Sequence, residues 1–143
     1  MGKINMGRVI LGGIVAGIVI DLLSYVVDGV LLAPRWAEGM MALGHANFSS
    51  SAVVGFNVLG IITGIVTIWI YAAIRPRFGA GVKTAIWAGL AVWVVSALVP
   101  NASFMCVSGL FSHHLMVGTT VGAFFEIVLG AIAGAALYKE SAS

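Results

Sequence analysis

Three acids stand inside otherwise apolar stretches of this chain: Asp21, Asp28 and Glu126. An ionised carboxylate at the bilayer centre costs roughly 2.5–3.5 kcal/mol on insertion scales, so such a residue normally faces the interior of a helix bundle. No Lys or Arg lies deep in the same stretches, which leaves the acids without a strong cationic partner. Three kinds of chemistry are then open. The acids are protonated, because desolvation disfavours the charged form; two of them share one proton as a coupled pair; or they bind a cation or a basic ligand. Ser24, Tyr25, Asn57, Thr63, Thr67 and Ser96 are the hydrogen-bond partners at hand. The competing reading is structural: neutral acids that hold helices or subunits together, or that meet another membrane protein laterally.

A second constellation combines imidazole with soft ligands. His45, His113, His114, Cys106, Met40, Met41, Met105 and Met116 all fall in or beside two connecting loops. Such groups suit copper or zinc. Their spacing matches no standard metal motif, and adjacent His113 and His114 point in different directions on a helix. An outer-face metal site built from His113, His114, Cys106, Met105 and Met116 is therefore the weakest reading, and no cofactor is expected. The bland alternative is interfacial polar residues with methionines packed near headgroups. Asn47-Phe48-Ser49 and Asn101-Ala102-Ser103 are glycosylation sequons of a length that arises often by chance. No nucleophile elbow, Walker loop or zinc-protease motif is present, and Gly12-Gly13 inside an apolar run is no phosphate loop, so no enzyme activity is expected.

Composition says what must position these groups. Of 143 residues 61% are hydrophobic and only 8% charged, where soluble domains carry about 25% charged residues. The mean hydropathy is +1.12. These values exclude a soluble enzyme, a disordered chain and a nucleic-acid binder; the net charge is only +2. A bilayer-spanning helix needs about 20 apolar residues. The pattern predicts four: about 9–33, 52–74, 80–99 and 115–138, stopped in the first three cases by Pro34, Arg75-Pro76-Arg77 and Pro100. The first is read as an uncleaved span, because the apolar run continues past Asp21 to about Ala33. Helices are required, since four strands cannot close a barrel. Residues 1–143 are expected to form one all-α transmembrane domain, an antiparallel four-helix bundle.

Basic residues set the expected orientation. Lys3, Arg8, Arg75, Arg77, Lys83 and Lys139 fall on one side, Arg35 alone on the other, which predicts cytoplasmic termini in a cell inner (plasma) membrane. Asp21 and Glu126 then sit at similar depth. Asp21 and Asp28, seven residues apart, share a face about 10 Å apart along the axis.

Glycines four residues apart let helices approach closely. Gly13, Gly17 and Asp21 are so spaced, as are Gly60 and Gly64, and Gly118, Gly122, Glu126, Gly130 and Gly134. Gly13 and Gly17 are expected to meet Gly130 and Gly134, bringing Asp21 to Glu126. Gly118 and Gly134, about 160° apart around an ideal helix, are expected to face different neighbours.

Leu32-Ala33-Pro34-Arg35-Trp36 followed by Met40-Met41-Ala42-Leu43-Gly44, and His114-Leu115 opening a glycine-rich last span, give the chain a resemblance to small uncharacterised four-span bacterial membrane proteins. That resemblance implies a topology and no activity. The leading expectation is a non-enzymatic accessory or structural subunit in lipid, homo-oligomeric or part of a larger membrane complex. The alternative is a small proton- or cation-coupled transporter using Asp21 and Glu126.

Overall fold

The computed structural model of the chain describes residues 3–140. Helix dominates, with no strand among the described residues. Four helical segments are long and apolar enough to cross a membrane: Met6–Leu31, Ser50–Phe78, Val82–Met105 and His113–Ala136. The first comprises α1 (Met6–Val26) and a π-helical turn, Val27–Leu31. A short helix, α2 (Ala33–Ala42), follows, then α3 (Ser50–Phe78). The third segment is α4 (Val82–Trp93), a second π turn (Val94–Leu98) and α5 (Val99–Met105); the last is α6 (His113–Ala136).

Side chains of the right type start three of these helices. Asn5 accepts from the Arg8 amide, Ser49 from Ala52 and Ser112 from Leu115, each at 3.2 Å, satisfying a backbone donor that the first turn leaves free. Gly79, at φ +83°, ends α3 with its N–H bonded to the Arg75 carbonyl.

The prolines behave differently from one another. Pro34 stands in the first turn of α2, where its missing N–H costs nothing, and the chain bends at Leu32. Pro76, expected to stop the second span, lies inside α3, which continues to Phe78. Pro100 likewise fails to stop the third segment, which runs on to Met105. Pro100 has no N–H for the Ser96 carbonyl, and its ring would crowd that group. The π turn at Val94–Leu98 widens the backbone there, so the helix passes the proline instead of ending.

The packed core lies towards the chain termini. Val9, Ala16, Ile68, Tyr71, Ala72, Ala85, Ala88, Ala135 and Tyr138 form it, and Ile20, Val92 and Ile127 extend it. Tyr138, just past α6, accepts from the Asn5 amide, and Tyr71 accepts from Gly81. Arg75 lies 3.4 Å from Glu140 and over the Tyr138 ring. The far end, around α2, is looser: no residue of α3 before Gly60 is buried.

Candidate functional site

Two parallel tracks run along α1, one residue out of phase. Gly13 and Gly17 lie against Ile65, Ile61 and Gly64 of α3, and a methyl group on Gly64 would strike Gly17. Gly12, Ala16 and Ile20 lie against Gly134 and Gly130 of α6. Neighbouring residues differ by about 100° around a helix, enough to give α1 two glycine-lined faces. Gly13 and Gly17 therefore do not meet Gly130 and Gly134 as expected; Gly12 and Ala16 do. The described glycine stripes are used up in contacts within the chain.

The same offset separates Asp21 from Glu126. Asp21 continues the Gly13–Gly17 track and packs on Gly60 of α3, where a β-carbon would overlap its carboxylate. Ser24 and Asp28 continue the other track, four and eight residues beyond Ile20. Glu126, only 6% exposed, faces those two residues across the α1–α6 interface. The acid meeting Glu126 is thus Asp28, with Ser24 between them, and not Asp21. Glu126 folds back over Gly122, which also leaves room for Val27. Gly118 lies against Leu32, at the bend beyond the first segment, and Gly134 against Gly12 of α1 and Ile68 of α3, so the two glycines meet different surroundings. The stripe slants around α6, and the π turn at Val27–Leu31 carries the end of the first segment along it.

Asp28 is held from two sides. The Ser24 hydroxyl donates to Oδ2 at 3.3 Å, and the Trp36 indole donates to Oδ1 at 2.9 Å. Ser24 is the one expected hydroxyl partner that bonds an acid in this way. Thr63 and Thr67 donate instead to the Leu59 and Thr63 carbonyls of their own helix, and the Asn57 amide donates to Val53. A helical hydroxyl has a backbone carbonyl one turn behind it, a shorter reach than any acid across an interface. Tyr25 is 70% exposed and lies over Gly29, and Ser96 is exposed within the second π turn. Trp36 was not among the expected partners; Pro34 is the signal for it, since it starts α2 at the bend just after the π turn that carries Asp28.

Asp21 and Asp28 open into one cavity of about 690 Å³ between α1, α2, the following loop and the loose end of α3. Tyr25, Trp36, Phe48 and Phe56 supply its aromatic wall, and Asn47 and Asn57 its amides. Trp36, Phe48 and Phe56 touch edge to face in series, with centroids 5.5 Å apart at each step. No basic residue lines the cavity. Asp28 has its two donors, whereas nothing among the described residues donates a hydrogen bond to Asp21. Two acidic side chains thus stand beside aromatic rings in one recess.

The outer-face metal set does not assemble. Among the described residues no three His, Cys, Asp or Glu side chains come close enough to hold a metal ion. Cys106 caps α5 and is exposed, as are His45, His113 and His114, while Met116 is buried beneath the first turn of α6. Met105 lies beside Val117 and Thr120 of α6. His113 and His114, successive residues on the helix, diverge by about 100°.

Comparison with protein-family models, with curated proteins and with solved structures gives no match to this chain.

Proposed function

We propose that the chain is a non-enzymatic, four-span plasma-membrane protein, antiparallel in its helix packing and with both termini cytoplasmic, which binds a cation in the Asp21–Asp28 cavity and carries it across the membrane. The observation that supports this reading is the cavity itself: two acidic side chains within apolar helices, one of them without a donor among the described residues, and no basic residue in its lining. The acids of the site are Asp21 and Asp28, with Glu126 behind Asp28 in the helix interface. The basic residues at the terminal end favour the orientation. Cation flux into liposomes carrying the purified protein tests the reading. Asp21→Asn should abolish flux while leaving the size-exclusion profile unchanged. Wild-type flux from both Asp21→Asn and Asp28→Asn would rule it out.

A second reading, the accessory or structural subunit, is favoured by a different observation. From Ser50 to Leu59, α3 buries no residue, and Val54 (64% exposed) and Val58 (53% exposed) turn away from the cavity lining. That ridge is a lateral surface for a second copy or for another membrane protein. Native mass spectrometry of Val54→Trp would show a lost oligomer or co-purified partner if this reading holds. An unchanged spectrum would count against it.

A further inference from the structure

We propose that the ligand of the Asp21–Asp28 cavity is an amphipathic organic cation, a quaternary ammonium or phosphonium carrying apolar or aromatic groups, taken up sideways from the surrounding lipid. The proposal rests on the cation-carrying reading above and names its substrate class.

Size, lining and access each point to this class. The cavity, at about 690 Å³, is far larger than an inorganic ion requires and falls within the roughly 300–1,000 Å³ of sites that enclose drug-sized molecules. Hard divalent cations need about six oxygen ligands at short range. Asp21 and Asp28, seven residues apart, stand about 10 Å apart along the helix axis, too far for both carboxylates to close on one small ion. No three His, Cys, Asp or Glu side chains among the described residues converge on a metal-sized point. A large, weakly hydrated organic cation needs less. Aromatic faces attract it through the ring quadrupole, and a single carboxylate supplies the countercharge. Tyr25, Trp36, Phe48 and Phe56 are the rings, and Asp21 is the carboxylate with no competing donor among the described residues. Asp28, held by Ser24 and Trp36, is a fixed second charge.

Access follows from exposure. Tyr25 is 70% exposed, Leu59 59% and Phe56 53%, and all three belong to membrane-spanning segments. Glycine contacts close the α1–α3 seam below Asp21, so the cavity ends there instead of continuing between these helices. A ligand dissolved in the apolar phase reaches the carboxylates between Tyr25 and Phe56.

Binding of tetraphenylphosphonium to the full chain in zwitterionic phosphatidylcholine nanodiscs tests this by calorimetry. Rubidium ion and neutral triphenylphosphine oxide serve as comparison probes. Saturable tetraphenylphosphonium binding is expected, weakened at least tenfold by Asp21→Asn and several-fold by Phe56→Leu, with no saturable binding of the oxide. Binding of the oxide as tight as the phosphonium would overturn the proposal, because charge would not be read. Rubidium binding that depends on Asp21, without phosphonium binding, would overturn the ligand class and leave the cation-carrying reading standing. Absence of both cations would remove both. Asp21→Asn is nearly isosteric and retains the fit on Gly60; should it fail to fold, Phe56→Leu on the lipid-exposed rim decides the question by the same titration.

Discussion

The Trp36 indole donates a hydrogen bond to the Asp28 carboxylate at 2.9 Å, across the bend that Pro34 makes between the first segment and α2. This bond fastens a short helix with no buried residue of its own to a membrane-spanning one. It also fixes Asp28 between α2 and Glu126. Replacing Trp36 by Phe keeps a ring against Phe48 and Phe111 but removes the donor. Loss of a hydrogen bond to a charged or partly buried partner costs about 1–3 kcal/mol. Hydrogen exchange should accelerate selectively over residues 33–42, with α4 and α6 unaffected.

Glycines of the same type should respond in opposite directions. Gly64 touches Gly13 and Gly17 backbone atoms, so Gly64→Leu must force α1 and α3 apart. Overpacking of this kind costs at least 1–3 kcal/mol. Gly55, inside α3, has nothing within 4 Å of where a β-carbon would go. Gly55→Ala should stabilise by about 0.5–1 kcal/mol through helix propensity and a less flexible unfolded chain. Denaturant titration in one detergent, comparing the two variants, checks both signs.

Thr67 is fully buried, and its hydroxyl is spent on the Thr63 carbonyl. Thr67→Val preserves the shape and removes only a bond within one helix. The expected cost is below about 1 kcal/mol, and cation binding should be unchanged. A tenfold loss of tetraphenylphosphonium affinity would mean that Thr67 reaches the cavity by some other route.

Cys106, the single cysteine, is exposed at the end of the bundle that carries α2. With cytoplasmic termini it faces away from the cytoplasm. A membrane-impermeant maleimide should therefore label Cys106 in intact cells, and no further label should be gained on permeabilisation. Labelling only after permeabilisation would invert the proposed orientation.

The four long apolar helices were legible because length and apolarity suffice to specify them; Asn5, Ser49 and Ser112, which cap three of their starts, went unread, and the expected starts of those three fell two or three residues late. Pro100 misled as a stop, since a π turn absorbs the strain that a proline imposes and a sequence does not announce one; Pro76 misled by only two residues, α3 ending at Phe78. That Asp21 and Asp28 share a recess follows from a seven-residue spacing. The pairing of acids did not follow. Gly12 and Gly13 are both glycine, and which of them faces α6 is decided by how the whole bundle rotates α1. One residue of ambiguity there exchanged Asp28 for Asp21 as the neighbour of Glu126. Phe48 was invisible as a site residue because only the folded loop before α3 brings it to the cavity, whereas Phe56 arrives on α3 itself, one turn before the Gly60 that packs on Asp21.

The paired tracks of α1 make this helix intolerant of changes in length. Deleting one residue between Gly17 and Ile20 would turn everything beyond it by about 100°, driving the Asp21 carboxyl into the dry slot that Ile20 fills against Gly130. Inserting one there would swing Asp21 to the lipid-facing position of Leu22, which is 64% exposed. In natural variants of this chain, α1 should accept exchanges of side chain far more readily than indels.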